Sequence, residues 1–313
     1  MKSATVKSPG SLSNLNCGFD ILGMALEAPF DLIKLTRKVE PGIVIKHLDQ
    51  YGLPEDPAKN IAGVALQAFM DAADYAEGFE VEITKQIKPG SGLGSSAASA
   101  AGVVVAANEL LGKPFDKKQL VSFAMEGEVL ASGSRHADNL APCIYGGLVL
   151  IRDTPTLDII PITTSGLYIS VAHPQIEIKT SYAREILPKE VPLKSAVTQW
   201  ANVAGLVTGF LTNDHALIGR SLVDVIIEPV RSKLIPGFDE VKSKSMAAGA
   251  LGGGISGSGP SLFMLSSDQH TAMAVQSEMK NVYEKLGIDC KTYVTTMGNG
   301  VTVIETQELS SEK

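Results

Sequence analysis

The residues best suited to chemistry lie in a glycine-rich segment, KPGSGLGSSAASAAG, at residues 88–102. Its glycines and serines follow an alternating strand pattern and precede an alanine-rich run. Glycine permits positive φ and lets the backbone approach a ligand, and the free N–H groups at the start of a helix attract anions. The segment therefore predicts an anion-binding loop. Phosphate is the favoured anion, because helix amino termini hold nucleotide phosphates in this way.

A second glycine-rich segment, GALGGGISGSGPSLFMLSS, occupies residues 249–267. It offers backbone donors where a loop enters an apolar strand. Two such loops suggest one shared ligand, and a pair of unrelated turns is the alternative. The common nucleotide motifs are missing, because no Lys-Ser or Lys-Thr pair follows the first loop and only Asp116, inside a turn, stands near the position of a ribose-binding acid.

The surrounding pattern alternates strands with helices and must position these loops. Residues 79–87 place apolar side chains on one face of a strand, and residues 60–76 repeat them at three- and four-residue steps, as an amphipathic helix does. The alanine-rich run from Ser95 to Leu111 predicts a helix that stops at Gly112. The single tryptophan, Trp200, lies in another helical stretch, and we expect it in the core.

Composition narrows the class of protein. The chain has 313 residues, of which 44% are hydrophobic, and a formal net charge of −7 with no dense basic block. It can bury a full core, and a nucleic-acid partner is disfavoured. Three dispersed cysteines predict neither disulfides nor a zinc site, and no apolar run reaches the ~18 residues that span a bilayer. We expect a cytoplasmic protein that binds small molecules and no membrane.

Three segments resemble the motifs of the GHMP kinase superfamily, which includes galactokinase, homoserine kinase, mevalonate kinase and phosphomevalonate kinase. They are SPGSLSNLNCGFDILG, PGSGLGSSAASAAG and GISGSGPSLF, in that order. Within the superfamily, five segments closely resemble those of homoserine kinases: NCGFDILG, KNIAG, EGEVLASGSRHADNLAPCIYGG, SYAREILP and IEPVRSKLIPGF. Together these segments span nearly the whole chain.

The resemblance implies a two-domain α+β fold. The amino-terminal, ATP-binding domain should cover residues 1–160 and contain a left-handed βαβ crossover of the ribosomal protein S5 domain 2 type, against the usual right-handed rule. The carboxy-terminal domain, residues 161–313, should be ferredoxin-like. The boundary is expected within residues 152–165, where prolines and threonines precede an apolar strand.

The resemblance also implies the nucleotide and metal sites. Magnesium, which prefers oxygen ligands, should be held by Ser96 and Glu128. Asn60 should lie near the base and Lys85 near the phosphates, although both residue types are common in ordinary loops and strands. The residues assigned to ATP are Asn60, Lys85, Pro89, Gly90, Ser91, Gly92, Leu93, Gly94, Ser95, Ser96, Gly257, Ser258 and Gly259.

The implied acceptor is L-homoserine, a zwitterion that carries a hydroxyl. Its carboxylate requires cations and its ammonium requires acidic or amide groups. Arg184 and Arg231 match the carboxylate clamp, and arginine suits this role because its planar fork donates two hydrogen bonds. The remaining polar wall matches Asn14, Asp20, Asp138 and Asn139.

The implied activity is ATP-dependent phosphorylation of L-homoserine, a step of threonine biosynthesis, by a chain expected to form a homodimer. We assign the catalytic roles to Asn139, Asp138, Glu128 and Ser96, with Asn139 holding the hydroxyl and Asp138 binding substrate rather than acting as a base. The alternatives are a sibling kinase for mevalonate or shikimate and a non-catalytic nucleotide or metabolite sensor. An intact metal pair argues against the sensor, and acidic groups for an ammonium argue against mevalonate.

Overall fold

The computed structural model describes residues 2–133 and 135–308. The strands are β1 Ser3–Ser13, β2 Leu22–Lys38, β3 Gly42–His47, β4 Gly78–Thr84, β5 Leu148–Asp153, β6 Asp158–Ile162, β7 Tyr168–Pro174, β8 Gly252–Ile255, β9 Leu262–Ser266, β10 Cys290–Thr296 and β11 Thr302–Gln307. The helices are α1 Ile61–Ala72, α2 Ser95–Leu110, α3 Lys117–Ser132, α4 Leu140–Tyr145, α5 Thr180–Glu185, α6 Leu193–Thr212, α7 His215–Ser221, α8 Glu228–Arg231, α9 Phe238–Ala247 and α10 Gln269–Lys285. Mixed α+β content is therefore confirmed.

The first sheet has the order β11-β1-β2-β4-β3, and β5 pairs with both β2 and β6. Its pairs are antiparallel except β3 and β4, which run parallel and are joined through α1. This is the βαβ unit that the resemblance implies. In β4, Phe79, Val81 and Ile83 are fully buried, as their alternation predicts.

Helix α2 packs against the first sheet along nearly its whole length, because its side chains are small. A Cβ at Gly102 would lie 2.3 Å from Ile33 Cδ1. The helix begins at Ser95, directly after Gly94 in the left-handed conformation, and ends before Gly112, as predicted. The strand, glycine loop and helix thus follow one another as the sequence indicates.

The second sheet is antiparallel with the order β10-β7-β9-β8. In chain order its strands and helices read β-α-β-β-α-β, with several helices in the first connection, and the strand order is 4-1-3-2. This is the ferredoxin-like arrangement implied by the resemblance. Strand β11 departs from the predicted division, since it lies within residues 161–313 but pairs with β1 of the first sheet.

Among the residues that the structure describes, three apolar clusters form the core. One lies under the first sheet, one under the second, and one contains residues of both, including Leu12, Met24, Val171, Phe210 and Phe263. This third cluster is apolar and fully buried, so it holds the two domains together as a core does.

Trp200 does not lie in the core, contrary to expectation, since its surface is 62% exposed. Helix α6 instead buries Gln199, Leu206 and Phe210, and Trp200 lies about 100° around the helix from Gln199. Within residues 2–133 and 135–308, no helix is long and apolar enough to cross a membrane.

Candidate active site

A cavity of about 340 Å³ opens between the two domains. Residues of both glycine-rich loops, of β1 and of helices α3, α5 and α8 line it. Every predicted site residue borders this cavity except Leu93 and Gly259, which are buried next to it. The structure thus brings together side chains that lie more than 200 positions apart in the sequence.

The two glycine-rich loops touch each other. Ser256 Oγ donates to the carbonyl oxygen of Gly92 at 2.6 Å, and a Cβ at Gly92 would lie 2.6 Å from Gly259 O. Gly92 and Gly94 have φ of 79° and 68°, and a Cβ at Gly94 would meet Ser11 Oγ at 2.1 Å. Only glycine meets both demands, so the loop passes close to Ser11 and to the second glycine-rich loop before it enters α2.

Lys85 lies beneath this loop in a buried ion pair with Asp31. The register of β2 and β4 pairs Leu32 with Thr84, so the next residues outward, Asp31 and Lys85, face each other. Lys85 Nζ lies 2.6 Å from Asp31 Oδ2 and also donates to Ser95 O at 3.0 Å and Ser99 Oγ at 2.8 Å. Its ammonium is thus bound to the first turn of α2, while its side chain borders the cavity.

Ser96 and Glu128 meet at the cavity from different helices. Ser96 Oγ donates to Glu128 Oε2 at 2.9 Å, which joins the first turn of α2 to α3. A hydroxyl and a carboxylate are both hard oxygen donors, and they stand beside the anion-binding loop. The pair fits Mg²⁺, which usually takes one or two protein groups together with substrate phosphates and water.

Asn60 lines the same cavity, as do the apolar residues Leu53, Pro54 and Ile61. It is the N-cap of α1, and its Oδ1 accepts the N–H of Ala62 at 2.9 Å. Its Nδ2 lies 2.9 Å from His47 Nε2. Apolar surface together with the polar side chains of His47, Lys59 and Asn60 suits a flat heterocycle.

The polar wall to which the resemblance assigns the acceptor carries two arginines that lie near Phe19. Arg184 makes two hydrogen bonds to Asp20, at 3.1 and 2.8 Å. Arg231 donates to Ala183 O and Gly257 O, and both guanidinium groups lie about 5 Å from the Phe19 ring. Burial, assisted by the charge of Arg184, lowers the pKa of Arg231 to about 10. A carboxylate ligand would offset this cost.

Asp138 and Asn139 stand next to this wall. Asn139 Oδ1 accepts from Ser11 Oγ at 2.8 Å, and its Nδ2 donates to Ser13 Oγ at 3.0 Å. Burial raises the pKa of Asp138 to about 7, and the charges of Asp20 and Glu128 act in the same direction. A cation bound next to Asp138 would favour its ionised form.

Asn14 and His136 complete the wall. Asn14 Nδ2 donates to Gly257 O at 3.0 Å, and its Oδ1 accepts the N–H of Asp20 at 3.0 Å, so it links the two domains. His136 Nδ1 lies 3.8 Å from Asp20 Oδ2, and burial lowers the pKa of His136. We assign it no proton transfer.

Sequence reasoning did not identify several residues that shape the site. They include Ser11, Ser13, Phe19, Asp31 and His47. Ser11, Ser13 and Phe19 lie within the segment SPGSLSNLNCGFDILG, so the family motif itself marks them as candidates. Asp31 and His47 gain their partners only through strand register and loop packing, and no local signal marks them.

Family models match two parts of the chain, "GHMP kinases N terminal domain" at residues 60–147 and "GHMP kinases C terminal" at residues 206–285. The chain is 45% identical to a homoserine kinase from Chlorobium phaeobacteroides (91% of this chain, 93% of the relative) and 40% identical to one from Methanocella arvoryzae (98% and 99%).

Solved structures agree. The crystal structure of homoserine kinase from Cytophaga hutchinsonii has a TM-score of 0.94 at 45% identity, covering 97% of this chain and 98% of that one. Mevalonate kinase from L. major shares the fold alone, with a TM-score of 0.71 at 16% identity over 93% and 95% of the chains. High identity over nearly full length on both sides leaves one assignment: the chain belongs to the GHMP kinases and, within them, to the homoserine kinase family.

Proposed function

We propose that the protein transfers the γ-phosphoryl group of ATP to the side-chain hydroxyl of L-homoserine, giving O-phospho-L-homoserine and ADP in threonine biosynthesis. The observation that carries this proposal is one cavity with two chemically distinct ends. An anion-binding loop and an oxygen-donor pair lie at one end, and two arginines with two aspartates lie at the other. A zwitterionic alcohol and a nucleoside triphosphate are the ligands that match both ends.

The amino terminus of α2 and the two glycine loops would hold the triphosphate through backbone N–H groups. Ser96 and Glu128 would hold Mg²⁺. When bound, the ion neutralises charge on the phosphate oxygens as transfer proceeds. The remaining work of this half is to hold the phosphates in one orientation, which the contacts between Gly92, Ser256 and Gly259 support.

The acceptor wall would bind homoserine at both of its charges. Arg184 and Arg231 would take the carboxylate, and Asp20 and Asp138 would take the ammonium. Asn139, its amide oriented by two serines, would hold the hydroxyl that attacks the γ-phosphorus. A loose transition state builds little positive charge on the attacking oxygen, so alignment contributes more than early removal of the proton.

The alternatives are disfavoured by specific groups. Mevalonate and shikimate have a carboxylate and hydroxyls but no ammonium, and they would leave Asp138 without a cation. A sensor without catalysis has no need of the Ser96–Glu128 pair, which bridges two helices at the cavity. The family assignment also favours homoserine.

A coupled assay of ADP release tests the proposal. Purified protein, ATP and Mg²⁺ are supplied with homoserine, mevalonate, shikimate, galactose or serine in turn. We expect turnover with homoserine far above the others. Turnover with none would favour the sensor, and a preference for mevalonate would contradict the proposal.

We also propose that the protein acts in the cytoplasm as a homodimer. An apolar stripe supports the second part: Leu193, Val197, Trp200 and Leu211 are all more than half exposed along one side of α6. Apolar surface of this extent on a helix usually meets another chain. Analytical ultracentrifugation of the protein and of Trp200→Glu checks it, and we expect the variant to be monomeric.

A further inference from the structure

We propose that His47 and Asp49 are positioning residues that set the base selectivity of the nucleotide pocket. His47 Nε2 takes up the second amide hydrogen of Asn60, so that the amide offers the base only a hydrogen-bond acceptor. The pocket then favours purines with an amino group at position 6, as in adenine, over 6-oxo purines such as hypoxanthine. This inference rests on the proposed function, because it takes Asn60 to face the base.

Two backbone groups fix the orientation of the Asn60 amide. The N–H of Ala62 can only donate, and it lies 2.9 Å from Asn60 Oδ1. The carbonyl oxygen of Pro54 can only accept, and it lies 2.6 Å from Asn60 Nδ2. A flipped amide would place two donors together and two acceptors together, so the network assigns oxygen and nitrogen unambiguously.

The second hydrogen of the Asn60 amide then fixes the tautomer of His47. Asn60 Nδ2 lies 2.9 Å from His47 Nε2, so Nε2 must accept and the ring proton must reside on Nδ1. His47 Nδ1 lies 3.5 Å from Asp49 Oδ2, and both side chains are only 6% exposed. Within residues 2–133 and 135–308 neither of these two atoms makes a hydrogen bond, so an electrostatic contact at 3.5 Å joins them rather than a hydrogen bond. The carboxylate therefore faces the proton that the tautomer requires.

The Asn60 side chain has one unused hydrogen-bonding position, a lone pair of Oδ1. Both Nδ2 hydrogens are taken, by Pro54 O and His47 Nε2, and Oδ1 has used one of its two lone pairs. Asn60 lines the cavity together with apolar Leu53 and Ile61. A base stacked in this slot can satisfy Oδ1 only by donating. The 6-amino group of adenine donates, whereas a 6-oxo group would set two acceptors against each other.

Three nucleotides with different groups at position 6 of the purine separate the gain from a donor there from the cost of an acceptor. Their dissociation constants are measured by calorimetry without homoserine. At position 6, ATP has a donor, purine riboside triphosphate has hydrogen alone, and ITP has an acceptor; ITP also carries a hydrogen on N1, where the other two have an acceptor. We expect ATP to bind about tenfold more tightly than purine riboside triphosphate, and ITP to bind about tenfold more weakly still. Equal affinities for ATP and ITP would overturn the inference.

Variants of His47 test whether its Nε2 sets the preference by accepting an amide hydrogen of Asn60. His47→Phe keeps a flat ring but removes the acceptor, which frees an amide hydrogen to donate to a 6-oxo group. We expect the preference for ATP over ITP to fall about tenfold, with tighter ITP binding. His47→Gln retains an acceptor and should retain the preference. A residue that only supports the fold would weaken both nucleotides alike, so an unchanged ratio in folded His47→Phe contradicts the proposal.

Asp49→Ala provides a second route if His47→Phe does not fold. Without the carboxylate, the Nδ1 proton loses its partner, and we expect the ratio to fall about threefold. An unchanged ratio in Asp49→Ala would remove Asp49 from the proposal. His215→Phe, outside the cavity, is the matched control. If the protein prefers ATP to ITP but does not turn over homoserine, the proposed function alone is contradicted. If it turns over homoserine but binds ATP and ITP equally well, this inference alone is contradicted.

Discussion

The ion pairs at the two ends of the cavity differ in how deeply they are buried. At the nucleotide end, the Asp31 and Lys85 side chains are 0% and 2% exposed, and further hydrogen bonds satisfy both. At the acceptor end, Asp20 and Arg184 pair while 29% and 37% exposed. A buried pair cannot release one partner without a large cost, whereas a half-solvated pair can exchange partners. The first end is thus a fixed support, and the second can rearrange around its ligand.

The largest effect should follow from breaking the fixed support. Asp31→Asn leaves the Lys85 ammonium buried without its counter-charge, and we expect a loss of about 3–5 kcal/mol in the free energy of unfolding. Because Lys85 holds Ser95, the KM for ATP should rise while the KM for homoserine stays constant.

Urea denaturation and steady-state kinetics check this expectation. Glu80→Gln is the matched control, because it breaks the solvent-exposed pair with Lys46 and should leave the free energy of unfolding almost unchanged. Equal losses in both variants would show that burial of the pair is not what matters. A raised KM for homoserine would show that the two ends are not separate.

The second effect concerns the Ser96–Glu128 pair at the nucleotide end. Its negative charge, on the Glu128 carboxylate, is expected to matter for phosphoryl transfer and not for binding of metal-free ATP. Glu128→Gln keeps the shape and removes the charge that would help to hold Mg²⁺. We expect kcat to fall by roughly 10²–10³-fold, the cost of losing one electrostatic contact in a transition state. Binding of ATP without metal should survive.

Rapid-quench kinetics at saturating Mg²⁺, with calorimetry for metal-free ATP, measure both quantities. Glu126→Gln is the control, since Glu126 lies on the same helix and pairs with Arg135 instead. A normal kcat in Glu128→Gln would remove Glu128 from the metal site.

The third effect tests the acceptor end. Arg231 is buried, and Arg231→Lys keeps the charge but loses the fork that meets a carboxylate with two hydrogen bonds. We expect the KM for homoserine to rise roughly 10- to 30-fold with little change in kcat, because the contact binds substrate and transition state alike. Arg220→Lys, outside the cavity, should change neither value. An unchanged KM in Arg231→Lys would return Arg231 to a purely structural role.

The sequence predicted the secondary structure around the first glycine-rich loop better than the side chains that support it. The strand, loop and helix around residues 79–111 are local patterns, so glycine spacing and apolar periodicity sufficed. Asp31 could not be foreseen, because its pairing with Lys85 depends on the register between β2 and β4. The return of β11 to the first sheet is likewise a long-range pairing that no local signal specifies. Trp200 shows the opposite limit, since helical periodicity alone does not say which face meets the core.

The smallest effect distinguishes a binding role of Asp138 from a role as base. Burial raises its pKa to about 7, well above the value of 3.8 that an aspartate normally has. The proton therefore stays on the folded protein between about pH 4 and 7, and folding stability falls as pH rises through this window. Asp138→Asn should abolish this slope, which thermal unfolding at pH 5 and 8 measures.

The same proton governs substrate binding, because a neutral Asp138 cannot attract the ammonium of homoserine. We expect the KM for homoserine to be about tenfold higher at pH 6 than at pH 8, since one unit below its pKa only about a tenth of the group is ionised. In Asp138→Asn the KM should be high at every pH, with kcat within roughly tenfold of the original. Loss of a general base would instead lower kcat by ~10²–10⁴-fold at unchanged KM. A fall of this size in a folded Asp138→Asn variant would identify Asp138 as the base. The acceptor end would then take part directly in proton transfer as well as in binding.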